Sequence, residues 1–310
     1  MNFFKNSFYL FAIALLSVSV VSCDDDEMVD PTPDPDPMDI VDIASGDDRF
    51  ETLTAALTQA GLVSTLQGDG PFTVFAPTDD AFEAAGIDLN TISNDDLQQV
   101  LLYHVFANRV AAADIADGQT YLGMAATAQD EQLSLLVEKS ASGVTLNGDV
   151  NVTATDIEAE NGIIHVIDQV LMPPSVVDLA IANEASFSSL VGALQAADGD
   201  LVNVLSGDGP FTVFAPTNAA FESIQSTVDG LSSEQLMKVL TYHVVAGNNQ
   251  SADLASQSYT TVNGEAFTVD LNALTITDAN GGVSSILFTN VQGTNGVVHV
   301  IDSVLIPSDL

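Results

Sequence analysis

The chain has a single cysteine, Cys23, among 310 residues, no tryptophan, and only five basic side chains, Lys5, Arg49, Arg109, Lys139 and Lys238. One thiol excludes a disulfide within the chain and any zinc site built on several cysteines. Without tryptophan, and with aromatics at 6%, the core must be assembled mainly from valine, isoleucine, leucine, alanine and phenylalanine. Five cations face 43 acidic residues, a formal net charge of −38. Such a surface repels phosphate backbones, which argues against nucleic-acid binding. It also repels anionic lipid head groups, so membrane contact would require an anchor rather than a basic patch. The charge serves solubility, with recruitment of divalent cations as the alternative.

No run of apolar residues is long enough for a comfortable membrane span, but the first 22 residues have the layout of a leader. Lys5 supplies a short positive region, and Phe8 to Val21 is an apolar stretch of signal-peptide length. Val20-Val21-Ser22-Cys23 resembles the bacterial lipobox, in which the cysteine is acylated and becomes the mature N-terminus. The alternative is an ordinary signal peptide with an incidental cysteine. Residues 24–37 hold seven acidic residues and four prolines. Proline forbids helix, and like charges extend the chain, so residues 23–37 are expected to form a stalk behind lipidated Cys23. An acidic run after the lipid-bearing cysteine also resembles the export signal of some surface lipoproteins of Gram-negative bacteria. The expected location is therefore the outer membrane, facing the cell surface, with membrane contact through the lipid alone.

The remainder is one unit written twice. Gly68 to Thr78 and Gly207 to Thr217 both read GDGPFTVFAPT. The offset of 139 persists to Tyr103-His104 and Tyr242-His243, then falls to 134 at His165 and His299, so the second copy has lost a net five residues between those landmarks. The copies run over 38–173 and 174–310, joined at Pro173-Pro174 by a short, stiff linker. Phe50, Leu53, Leu57 and Ala60 share one helical face, as do Phe187, Leu190, Val191 and Leu194. Phe72 to Ala76 is rich in strand formers and bounded by prolines, which predicts a buried strand. Thr78 and Thr217 stand where helix N-caps belong, and Ser93 with Asp96 and Ser232 with Gln235 have capping-box spacing. Asn161-Gly162 and Asn295-Gly296 predict hairpins, because both residue types tolerate positive φ. Helices followed by strands give an α+β fold in each copy.

These ordered motifs resemble the fasciclin family. The first family motif is similar to residues 72–82 and 211–221, the central pair to Tyr103-His104 and Tyr242-His243, and the second motif to residues 161–171 and 295–305. The resemblance implies two tandem domains, each a wedge-like β-sandwich with packed helices. It also implies a non-catalytic role in adhesion or interaction outside the cell, with an extracellular protein or polysaccharide as partner and no cofactor. In some animal members an Asp-Ile pair ahead of the second motif is implicated in integrin binding. Asp156-Ile157 occupies that place here and is the candidate partner-binding site, whereas the second copy has Asn290-Val291. The plainer reading of Asp156-Ile157 is a strand end with one side chain out and one in.

Residue chemistry offers little to an enzyme. The four histidines, His104, His165, His243 and His299, recur at matching positions, but none lies three or four residues from another. With Tyr103, Asp168, Tyr242 and Asp302 they are expected to be structural motif residues rather than metal ligands or proton carriers. Nucleophile and phosphate-loop motifs are lacking. Two other functions stay open: a small-ligand or divalent-cation module, and a carboxylate-dependent hydrolase.

Overall fold

The recurring eleven-residue string becomes the centre of each repeat. A computed structural model describes residues 37–310. The leader 1–22, Cys23 and nearly all of the stalk lie outside the described residues. In the first repeat the strands are β1 Phe72–Pro77, β2 Val105–Phe106, β3 Gly118–Ala128, β4 Glu131–Ser140, β5 Gly143–Leu146, β6 Val150–Ala159 and β7 Gly162–Ile167. In the second they are β8 Phe211–Pro216, β9 Val244–Ala246, β10 Ser258–Thr260, β11 Ala266–Asp270, β12 Thr275–Thr277, β13 Val283–Gly293 and β14 Gly296–Ile301. Both sheets have the same order, β2-β1-β7-β6-β5-β4-β3 and its counterpart β9-β8-β14-β13-β12-β11-β10. Among the described residues the only parallel pairs are β1 with β7 and β8 with β14, at the heart of each sheet.

A parallel pair is covered on both faces, which is why these strands read as unbroken apolar runs. Val74, Ala76, Ile164 and Val166 face a cluster formed with the helices, including Leu53 and Leu57 of helix Glu51–Gln59 and Leu97 and Leu101 of helix Asn94–Leu102. Phe75 and Ile167 face the other way, into a cluster with Met124, Leu133, Leu135 and Leu146 from the curled remainder of the sheet. The second repeat divides its core in the same manner, around Phe187, Leu190 and Leu194 on the helix side and Phe214, Phe267 and Ile276 on the other. This is the α+β wedge expected of each copy.

Thr78 and Thr217 accept the amides of Ala81 and Ala220 at 3.4 and 3.3 Å. Ser232 and Gln235 form a reciprocal capping box. Ser93 accepts the Asp96 amide, but the hydroxyl binds the Asp96 carboxylate instead of leaving it to the cap backbone.

The hairpins fall where Asn-Gly placed them, for a different reason. Ala159 pairs with Gly162 and Gly293 with Gly296, so the turn residues are Glu160-Asn161 and Thr294-Asn295, and none of these four has positive φ. Glycine is needed because a Cβ on Gly162 would lie 2.2 Å from the Phe72 carbonyl of the adjoining parallel strand. Asparagine is needed for its side chain: Asn161 donates to the carbonyls of Leu66 and Gly68 and accepts the amide of Ile40.

The two copies differ most in one hairpin. Strands β3 and β4 have 11 and 10 residues, whereas β10 and β11 have three and five. The longer hairpin leans on the second repeat. Ser134 Oγ accepts the Gln292 amide at 2.9 Å, Gln292 donates to Gln129 Oε1 at 3.0 Å, and Gln129 donates to the Thr294 carbonyl at 2.9 Å. Nearby the Tyr121 and Phe288 rings lie 5.7 Å apart, and the Tyr121 hydroxyl accepts Asn183.

Candidate functional site: the bulged strand and its histidine

Strand β6 cannot pair evenly with β7. Its register shifts between Val152 and Ala154 and again between Ala154 and Ile157. At the second shift Asp156 takes a left-handed conformation, φ +61°. Aspartate and asparagine are among the few residues that accept this region at small cost. The bulge turns the Asp156 amide toward His165 Nδ1, at 3.3 Å, while His165 Nε2 reaches the Val110 carbonyl at 2.9 Å. A ring that accepts an amide at Nδ1 must carry its proton on Nε2, so this histidine is the neutral tautomer. Asp156 Oδ1 accepts the Ala112 amide at 2.8 Å. Thr73 completes the clamp, donating to the Asn108 carbonyl and accepting the Val110 amide. The loop between β2 and β3 is thereby fastened to the bulge.

The second repeat builds the same clamp with asparagine in place of aspartate and Ser251 in place of Ala112. Asn290 has φ +65°, donates its amide to His299 Nδ1 at 3.3 Å, and accepts the Ser251 amide on Oδ1 at 2.8 Å. His299 Nε2 donates to the Asn249 carbonyl. Burial holds the His299 pKa below the ordinary histidine value, against the raising effect of that carbonyl. Aspartate and asparagine share Oδ1, the atom that accepts the loop amide in both copies, and Asn290 adds one bond by donating Nδ2 to Ser251 Oγ at 2.9 Å. The difference between Asp156 and Asn290 thus leaves the clamp intact. Asp156 and Ile157 sit within the strand at a bulge rather than at a strand end; Asp156 is exposed, and Ile157 is half-buried against the helix-side core.

This reading predicts an ordered series. Asp156→Asn should leave stability nearly unchanged, Asp156→Ala should cost about 1–2 kcal/mol, and Asp156→Val more, since a branched Cβ disfavours positive φ. Urea unfolding of the full chain measures this; equal midpoints for Ala and Asn variants would rule out the clamp.

The central motif residues hold a second set of joints. His104 is entirely buried at the end of helix Asn94–Leu102. Its Nδ1 donates to the Val100 carbonyl at 2.7 Å, and Nε2 accepts the Leu171 amide at 2.9 Å. His243 does the same with Val239 and Leu305. Burial pushes both rings down to about 4, with the accepting carbonyls opposing the shift. The Tyr103 hydroxyl donates to the Ser134 carbonyl and accepts Asn147, and Tyr242 pairs with the Ala266 carbonyl and the Ala279 amide. Burial raises both phenols. Asp168 takes the amide and side chain of Asn151, while Asp302 takes the Ser285 amide and serine hydroxyls. Burial opposes ionisation of Asp302, yet those hydrogen bonds outweigh it and keep its pKa low.

All four histidines therefore have both ring nitrogens engaged with backbone groups. None has a nitrogen left to carry a substrate proton or bind a metal. Among the described residues, no group of three or more His, Cys, Asp or Glu side chains is arranged to hold a metal ion. Asp156 and the Tyr-His joints engage different partners: Asp156 holds Ala112 and His165, while Tyr103 and His104 hold Ser134, Asn147, Val100 and Leu171. Three features carry no sequence signal of the kind read above: the asparagine clamps, the Ser134–Gln292–Gln129 contact, and the exposed Arg109–Glu158 ion pair beside Asp156.

The bulge is not presented alike in the two copies. Asp156 and Asn290 are both exposed, but two residues on Glu158 is exposed whereas Gln292 is buried against Ser134 and Gln129 of the first repeat's hairpin.

A family model described as Fasciclin domain matches residues 48–173 and again residues 185–307. The chain is 28% identical to human periostin over 282 residues, covering 87% of this chain and 31% of that protein. It is 30% identical to the pig transforming growth factor-beta-induced protein ig-h3 over 268 residues, 84% of this chain and 37% of that one. Protein sll1483 of Synechocystis is 39% identical over 144 residues, covering 44% of this chain and 74% of the relative. The chain thus spans about a third of the length of these animal relatives. Among solved structures, a FAS1 domain pair from the insect cell adhesion molecule Fasciclin I matches with TM-score 0.50 at 16% identity, over 84% of this chain and 98% of that one.

Proposed function

Because the chain belongs to the fasciclin family, we propose that it is a non-catalytic adhesion or extracellular interaction protein, anchored at the cell surface by lipid on Cys23. The observation that carries this reading is the tandem pair itself, two family domains in one chain with the same fold as a pair from a cell adhesion molecule. The engagement of every histidine nitrogen supports a scaffold that holds shape rather than one that turns over substrate. The strongly acidic composition and the lipobox-like Val20-Val21-Ser22-Cys23 support an exported, anchored location. Two domains on one chain favour avidity, because a second weak contact becomes intramolecular.

The test uses producing cells and an isogenic strain lacking the chain. The expected outcome is stronger attachment of producing cells to a surface coated with matrix protein or polysaccharide, lost in a Cys23→Ser variant that is released from the membrane. Equal attachment by all three strains would refute the adhesive role. Retention of the Cys23→Ser protein in the membrane would refute the anchor.

A further inference from the structure

We propose that the cleft between the two repeats binds an extended basic peptide segment that carries apolar side chains between its cations. The cleft is a joint product of both copies. One wall is the β5–β6 turn with Gln169–Met172 of the first repeat, and the other is helix Val176–Ala182 with Glu184 of the second. Its volume is about 750 Å³, in the range of sites that enclose ligands. The base is tight: Gly148 lies so close to the Ala182 carbonyl that a Cβ there would sit 2.4 Å from it.

The lining has two chemistries. Met172 of the first repeat and Ile181 of the second line the cleft yet remain 55% and 50% exposed, large apolar side chains left in water. Asp149, Asp178 and Glu184 add three carboxylates, and no lysine or arginine lines the cleft. None of the three joins the ion pairs of the described residues, which use Asp47, Glu158 and Asp309. Asp178 commits one oxygen to Ser175 as a helix cap and keeps the other. Apolar ground within an acidic rim is complementary to alternating cationic and apolar side chains, and the net charge of −38 draws such a segment in. Anionic ligands are repelled. Sugars find no aromatic ring to stack on, since none lines the cleft.

The inference adds a ligand chemistry to the interaction role and rests on that role only for its biological meaning. The probe is a fluorescein-labelled hexapeptide of alternating lysine and leucine, titrated into the full chain and read by polarisation. Saturable binding is expected, weakened about tenfold by Asp149→Asn with Glu184→Gln, and by Ile181→Ser. The matched pair Glu222→Gln with Asp229→Asn, outside the cleft, should change it less than about twofold. Replacing the leucines of the probe by serine should weaken it about tenfold. Absence of saturation, equal loss from both charge pairs, or indifference to leucine would overturn the proposal. A negative result here beside normal cell attachment would sink the cleft ligand and leave adhesion standing.

Discussion

Acidification from pH 7 to pH 4 is expected to remove about 3 kcal/mol of stability from each repeat through one histidine. His104 and His243 hold folded pKa values near 4, against an ordinary value of 6.5 in the unfolded chain. The unfolded state therefore takes up the proton first. The contribution is complete above pH 6.5, declines as pH falls through the window from 6.5 to 4, and changes no further below it. Protonation cannot be accommodated in place, because Nε2 of each ring is already accepting the amide of Leu171 or Leu305. Neutralising carboxylates on a chain of net charge −38 acts in the opposite direction, by relieving self-repulsion. The comparison that isolates the histidine is the full chain against His104→Gln, in urea titrations at intervals between pH 7 and 4.5. The variant should be less stable at pH 7 and should lose the first repeat's share of the slope. Parallel pH profiles for the two proteins would show that the buried ring is not the titrating group.

An effect at least as large within one repeat is expected at the asparagines that open β7 and β14. Asn161→Ala should cost about 3–5 kcal/mol, because one buried side chain makes three hydrogen bonds, each to a backbone group that water cannot reach easily. Asn161 donates to the Leu66 and Gly68 carbonyls at 2.7 and 2.9 Å and accepts the Ile40 amide at 3.1 Å. Asn295 does the same for Leu205, Gly207 and Val176. Asn161→Asp is the discriminating variant. It retains the acceptor for Ile40 but sets a carboxylate against two carbonyl oxygens, so it should be no better than alanine despite equal size. A stability loss below about 1 kcal/mol for both variants would mean that the asparagine is only a turn residue.

The fold and the site were legible to different depths. The duplication, the buried central strands and the helix starts follow from residue order, since identical strings, apolar runs and threonine caps each have one dominant physical cause. The hairpins were legible in place but not in mechanism, because Asn-Gly predicts a turn through φ whereas here its two members serve a side-chain clamp and a close strand approach. Asp156 against Asn290 read as a lost carboxylate, yet both accept the loop amide through the oxygen they share. The contact between repeats was hidden, because Ser134, Gln129 and Gln292 in a β pattern look like solvent-facing positions. Nothing local to a glutamine says that another domain's strand will cover it.

The unequal hairpins make the contact between repeats directional. The first repeat gives a long hairpin and the second receives it on Phe288, Gln292 and Thr294. A contact of this head-to-tail kind can, in principle, be handed from module to module without limit, as in a growing filament. Here the succession stops, since β10 and β11, three and five residues long, are too short to serve a successor in the same way. The equivalent receiving strand of the first repeat is marked by the Arg109–Glu158 ion pair where the second repeat buries Gln292. Among the described residues the pair is thus polar in sequence, with one giver and one taker.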